Sequence, residues 1–335
     1  MHHDQVDITL TLWLVTLAGI IALIAIDFIA VSRKPHEVGF REALLWSIFY
    51  IGIAVAFGIG MLIWQGSTAG SEFFAAYLVE KSLSVDNLFV FIIILTQFAV
   101  PSALHQRVLL VGVVLALAFR AVFIAIGAAA LDAFSFTFVL FGALLIYTGI
   151  QLARHRNEDP DPSDNAIVRR IRKRYTFTDD YHGTKSFVRV NGKRMATPLL
   201  LVMIAIGSTD LLFALDSIPA TFGVTSEPYI VFTANAFALL GLRALYFLLK
   251  GLLDKLIYLS LGLSIILVFI GVKLILTFAH GINESVPHIP TNVSLIVIGS
   301  ILVITGLASW IGVRRHPEAV AHAGRITDSK HDEGE

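Results

Sequence analysis

The sequence predicts an all-α polytopic membrane protein of about nine transmembrane helices, with the N-terminus outside and the C-terminus inside. Three observations carry that expectation. The 335 residues are 56% apolar and only 15% charged, with a mean hydropathy of +0.78, where a soluble domain runs about 45–50% apolar and about 25% charged. Nine stretches reach the length of roughly 20 apolar residues that a helix needs to cross a bilayer. Lysine and arginine divide cleanly between alternate connections. These totals exclude a soluble globular enzyme and a disordered chain, and the absence of cysteine excludes a disulfide-stapled domain and any thiolate chemistry. Zero net charge gives no bulk pull toward nucleic acid.

The first span, 8–31, is too long for a signal-peptide core and no basic segment precedes it. The others run 43–64, 73–97, 107–130, 133–153, 197–221, 229–249, 256–279 and 292–313. With odd-to-even placement, Lys and Arg collect at 33–41, 107, 154–194, 250–255 and 314–330. The opposite connections, near 65–72, 131–132, 222–228 and 280–291, hold neither residue. That split sets the orientation. It makes 154–196 a cytoplasmic loop whose mixed charges suit anionic lipid headgroups, and 314–335 a cytoplasmic tail. His2-His3 and the acidic tail read as solvated ends, and the lack of an organelle-type leader points to the plasma membrane of a bacterium.

The spans contain an internal repeat. Ser84-Val85-Asp86-Asn87-Leu88-Phe89 aligns with Ser208-Thr209-Asp210-Leu211-Leu212-Phe213. Arg120 lies 34 residues after Asp86, and Arg243 lies 33 after Asp210. Asp132 and Asp254 follow those arginines by 12 and 11 residues, and Gly149-Ile150-Gln151-Leu152 matches Gly271-Val272-Lys273-Leu274. Each copy, about 73–153 and 197–279, holds three spans, so the second copy enters the membrane from the other side. Inverted repeats of this kind place a substrate site near the midplane at their interface.

Carboxylates at bilayer depth are costly and face a cavity or a partner. Glu80, Asp86, Asp210 and Asp216 lie within spans, and Asp27 lies near the inner end of the first. Ser84, Asn87, Ser208 and Thr209 add hydroxyl and amide oxygen beside them. In the sixth span Gly207 and Pro219 bracket the polar cluster, and a kink there would help Asp210 and Asp216 converge. This donor set suits a hard divalent cation such as Mn²⁺, Mg²⁺ or Ca²⁺. Oxygen ligands alone do not separate Mn²⁺ from Ca²⁺. Arg120 and Arg243 read as charge compensation for the acids, with Lys81 in a similar role. No Walker-type loop is present, so neither ATP hydrolysis nor any other enzymatic activity is expected, and no resident cofactor is called for.

At these residues the chain resembles the TerC family, in particular its Alx-like branch. The resemblance rests on Glu80-Lys81-Ser82-Leu83-Ser84-Val85-Asp86-Asn87-Leu88-Phe89-Val90 and on Ser208-Thr209-Asp210-Leu211-Leu212-Phe213-Ala214-Leu215-Asp216-Ser217-Ile218-Pro219-Ala220, and it covers essentially all nine spans. It implies export of manganese from the cytoplasm, with Glu80, Asp86, Asp210 and Asp216 as the metal pathway. Older descriptions of the family imply tellurium resistance or a membrane-bound redox modulator instead. The competing readings are therefore a stress-response modulator without its own transport, or a Ca²⁺ transporter.

Overall fold

The structure is a computed structural model that describes residues 9–32, 38–155, 168, 170–171, 177–190, 193–249 and 256–315. Ten named helices and one hairpin make up its regular elements: α1 (Leu10–Ser32), α2 (Phe40–Trp64), α3 (Gly66–Gln97), α4 (Ser102–Ala133), α5 (Thr137–Arg154), β1 (Phe187–Val190), β2 (Lys193–Ala196), α6 (Pro198–Phe222), α7 (Pro228–Leu240), α8 (Leu242–Leu249), α9 (Leu259–Ile282) and α10 (Thr291–Arg315).

Among the described residues, eight stretches are long and apolar enough to cross a membrane, with α7 and α8 counted together as Pro228–Leu248. The expected ninth, α3, is 32 residues long. It stays outside that set because Glu72, Glu80, Lys81 and Asp86 interrupt its apolar run. Its start also differs from the expected position 73. The turn from α2 needs only Gln65 and Gly66, and Gly66 adopts φ +92, which a side-chain-bearing residue rarely does. The polar residues Ser67–Glu72 are thereby helical rather than a connection.

Burial ranks the helices. Fully 89% of the apolar window in the α7–α8 span lies inside the protein, against 11% for α1 and 17% for α10. The outer helices present Leu14, Ile21, Leu45, Ile63, Ile296 and Leu307 outward, as a lipid-facing surface requires. The seventh span is not continuous. It breaks at Gly241, so Ala238 loses the backbone donor that an unbroken helix would bring from residue 242. Lys81 Nζ donates to that carbonyl at 3.2 Å. A Cβ on Gly241 would stand 3.1 Å from the same ammonium, so the glycine leaves room for the lysine. The sixth span behaves in the opposite way. It is one helix, Pro198–Phe222, with Pro219 inside it and no break between Asp210 and Asp216.

The tightest packing joins α5 to α9 through small residues. A Cβ on Gly142 would meet Gly271 O at 2.7 Å, and one on Gly149 would meet Ser264 O at 2.9 Å. Backbones approach this closely only where side chains are absent. The repeat alignment pairs Gly149 with Gly271, and seven residues earlier Gly142 with Ser264. Each contact is therefore the image of the other under the repeat. The packing of α3 on α7 and of α4 on α6 is exchanged in the same way.

At the end of the bundle expected to be cytoplasmic, β1 and β2 pair antiparallel from Phe187–Ala196 to Val190–Lys193. Tyr181 Oη donates to Phe98 O at 2.7 Å and Thr197 Oγ1 to Lys185 O at 2.7 Å, so this part of the 154–196 segment is docked on the helices. Asp254, His2, His3 and residues 316–335 lie outside the described residues.

The glycine contacts make a direct expectation. Gly271→Val drives methyl groups against a carbonyl that cannot retreat, and overpacking of this kind costs about 1–3 kcal/mol. Thermal unfolding in detergent should show a midpoint several degrees lower for Gly271→Val. Gly281→Val, where nothing lies within 4 Å, should leave it unchanged.

Candidate functional site

Helix α4 is apolar for most of its length, and Arg120 stands in its buried face among Leu117, Ile124 and Gly127. The whole residue has 0% exposure, so every donor on its guanidinium must find an acceptor within the protein. Asp210 on α6 takes the fork: Nε donates to Oδ2 and Nη2 to Oδ1, each at 3.3 Å. Nη1 donates to Glu80 Oε1 on α3, to Ser217 Oγ on α6 at 3.1 Å, and to Asn235 Oδ1 on α7 at 3.3 Å. Helices α3, α6 and α7 thus converge on one side chain of α4.

Helical spacing explains which residues meet. Asp210 and Ser217 are seven apart, so both lie on one stripe of α6. Glu80, Ser84 and Asn87 form the same i, i+4, i+7 stripe on α3, and all three are buried. Asp216 stands six residues from Asp210, about 240° around an unbroken helix. It is 9% exposed, makes no hydrogen bond among the described residues, and is not brought onto Arg120. The side chain of Asp86 lies outside the described set, so the expected meeting of Asp86 with Asp210 has no described geometry. Ser208 is buried with its hydroxyl on Ala205 O at 3.1 Å, and Thr209 is half-buried.

The cluster is not saturated. Glu80 Oε2, Ser84 Oγ, Asn87 Nδ2 and Asn235 Nδ2 are buried atoms with no hydrogen-bond partner among the described residues. Formal charge is unbalanced too, with one guanidinium against the two carboxylates Glu80 and Asp210. A buried polar group left without a partner is expensive, costing about 1–3 kcal/mol. The donors on offer are carboxylate, hydroxyl and amide, which suit a hard cation.

The second arginine has its own partner. Arg243 on α8 donates from Nε to Asp27 Oδ2 at 3.1 Å and from Nη2 to Asp27 Oδ1, both residues being buried. Asp27 is therefore held in an ion pair and not at the Arg120 cluster. Lys81 caps the end of α7, as described above, while its neighbour Glu80 serves Arg120. Ser217 and Asn235 were not among the residues expected from sequence. The available signal for Ser217 was its seven-residue offset from Asp210. For Asn235 it was a lone amide in the most buried apolar run of the chain.

Residues 65–316 match the family described as the Integral membrane protein TerC family. An uncharacterised membrane protein of Mycobacterium tuberculosis is 45% identical over 327 residues, covering 93% of this chain and 82% of that protein. One from Myxococcus xanthus is 42% identical over 316 residues, covering 94% and 97%. A protein of Escherichia coli O157:H7 described as "Putative membrane-bound redox modulator Alx" is 37% identical over 308 residues, covering 89% and 94%. No solved structure matches the chain.

Removing Arg120 alone strands two buried carboxylates, and breaking a buried pair from one side costs about 3–5 kcal/mol. Arg120→Met should therefore lower the unfolding midpoint sharply, and Arg120→Lys should do little better because an ammonium cannot reproduce the fork. Adding Asp210→Asn to Arg120→Met should recover part of the loss. A double variant no more stable than the single would overturn the pairing energetics.

Proposed function

The chain belongs to the TerC family, in its Alx-like branch, and from that premise we propose that it exports a hard divalent cation, manganese(II), from the cytoplasm through the buried carboxylate cluster. The single observation that carries the reading is Arg120 itself. A guanidinium occupies the place between Glu80 and Asp210 that a cation would take, with unpartnered oxygen and amide atoms around it. In this reading nine spans cross the membrane, N-terminus outside, and the cluster lies at the interface of two inverted repeats. The mutually imaged contacts of α5 with α9 support that symmetry.

The chemistry follows from charge. Glu80 and Asp210 exceed Arg120 by one negative charge, and Asp216 adds another on the same helix as Asp210. A divalent ion entering from the cytoplasm displaces the guanidinium from its carboxylates. Asn87, Ser84 and Asn235 then complete its shell. Rocking of one repeat against the other opens the site outward. Protonation of a carboxylate weakens its hold and releases the ion, because a neutral acid no longer balances the charge. Arg120 then returns, so the empty carrier does not cycle with two bare carboxylates in hydrocarbon. Inward proton flux supplies the drive.

The name of the Escherichia coli relative offers a redox reading. A redox role in this chain would have to work without a thiol, since the sequence holds no cysteine. The loop that would dock a signalling partner is tied to the helices at Tyr181, whose hydroxyl donates to Phe98 O.

In proteoliposomes, saturable ⁵⁴Mn²⁺ flux responsive to an imposed pH gradient is expected. Asp210→Asn and Glu80→Gln should each reduce it at least tenfold at equal insertion, about 1.4 kcal/mol or more in the barrier. Wild-type rates in both variants would end the assignment, and competition by Ca²⁺ at equal potency would change the ion.

A further inference from the structure

At the end of the bundle carrying the α2–α3, α6–α7 and α9–α10 connections, a cavity of about 800 Å³ opens between α3, α6 and α9. Its wall is polar: Ser71 and Glu72 from α3, Thr225 before α7, Lys273 and His280 from α9, and His288 from the connection that follows. Lys273 is 5% exposed and has Glu72 as its electrostatic partner, while Glu72 Oε2 accepts from Thr225 Oγ1 at 2.6 Å. The acid and the ammonium largely answer each other. The two imidazoles are a separate matter.

His280 and His288 place their ring centroids 5.6 Å apart, tilted 44°. A metal–imidazole bond of about 2.0–2.1 Å puts the ring centroid about 3.2 Å from the ion, so two imidazoles on one tetrahedral ion have centroids about 5 Å apart. The observed spacing fits that arrangement. The tautomer of His280 fits as well. Its Nδ1 lies 2.6 Å from Val286 O, a carbonyl that only accepts, so Nδ1 is the donor and Nε2 is the nitrogen that would take an ion. Anchoring one ring nitrogen on a backbone carbonyl is how metal-ligating histidines are oriented. The bond closes a short loop, 280–286, and holds His288 beside the same mouth.

We propose that His280 and His288 form a second metal site, one that takes a nitrogen-seeking divalent transition ion such as Zn²⁺ and is chemically distinct from the oxygen-lined core. No group of three or more His, Cys, Asp or Glu residues among the described residues gathers around a common point. The ion therefore keeps water in its remaining positions and exchanges readily, as suits a chamber rather than a structural clamp. Imidazole selects against Mg²⁺ and Ca²⁺ and ranks Mn²⁺ lowest among the first-row ions, so this site discriminates differently from the core. Its metal binding stands without the transport reading.

The test is Zn²⁺ titration calorimetry on the purified full chain carrying His2→Ala and His3→Ala, which removes the N-terminal pair as a competing site. His280→Ala and His288→Ala, each added singly, should delete the same single Zn²⁺ equivalent or weaken it at least tenfold. Asp210→Asn should retain it, and excess Ca²⁺ or Mg²⁺ should not displace it. The Zn²⁺-induced rise in the unfolding midpoint, read for each variant against the same variant without metal, should be lost with His288→Ala and kept with Asp210→Asn. An isotherm indifferent to both histidine variants would overturn the proposal. So would Zn²⁺ binding lost with Asp210→Asn but kept in the histidine variants. Loss of Mn²⁺ flux bears on the carboxylate core alone, and the two readings therefore fail separately.

Discussion

A single guanidinium with 0% exposure sets the terms on which the centre of this bundle packs. A charge taken wholly out of water is tolerated only when its geometry is satisfied from every side. Arg120 obtains that from Glu80, Asp210, Ser217 and Asn235, which belong to α3, α6 and α7. The requirement reaches outward from there. Asn235 must sit at the middle of α7, which becomes the most enclosed helix of the protein. Glu80 must face α4, which turns its neighbour Lys81 toward α7 and α8. There the break at Gly241 leaves a carbonyl for the ammonium to cap. Apolar packing supplies most of the buried area, yet it is largely non-directional. The guanidinium supplies direction.

The two repeat-equivalent arginines use the same fork, Nε and one Nη on the two oxygens of an aspartate. Their partners break the symmetry. Arg120 of the first copy reaches Asp210 in the second, so that fork spans the interface between the copies. Arg243 of the second copy reaches Asp27 in α1, a helix outside both. One fork thus ties α4 to α6, and the other ties α8 to α1. Under the proposed carrier reading, rocking one repeat against the other would break the first fork in each cycle and could keep the second. The two arginines would then do different work with nearly identical local chemistry.

Much of this was legible in the sequence, for identifiable reasons. Span positions follow from apolar length, which a bilayer imposes on any helix regardless of its neighbours. The depths of Glu80, Arg120 and Asp210 follow from counting along those spans. What counting misses is rotation and breakage. Asp216 shares a helix with Asp210, but an intact α6 turns it to another side. Pro219 marks no break there, since it lies within a turn of the C-terminal end, where little helix remains to interrupt. The break at Gly241 bears no proline and depends on Lys81 and Tyr50 occupying the space beside it. Asn235 matters through a partner distant in sequence and His280 through contacts within the loop that follows it, so periodicity alone singles out neither. The 154–196 segment reads as a charged loop because its hairpin is too short to produce a pattern that stands out from its surroundings.

The helix that least resembles a membrane span is the one on which the transport reading turns. α3 carries Ser67, Ser71 and Glu72 toward the cavity end, Glu80 at the cluster, and Ser84 and Asn87 beyond it. Glu72 and Glu80 are eight residues apart, about 12 Å along the axis. A helix so loaded is poorly suited to facing lipid, and α3 is enclosed by α2, α6, α7 and α10. Enclosure is the condition under which polar groups at depth are tolerated, and it is also the condition for a path that lipid does not enter. Of the residues that disqualify α3 by composition, Glu72 lines the cavity and Glu80 meets Arg120, with Phe73–Val79 between them. In the proposed transport cycle a divalent ion would displace the Arg120 guanidinium more readily than a monovalent ion would, which would put selectivity at this buried cluster.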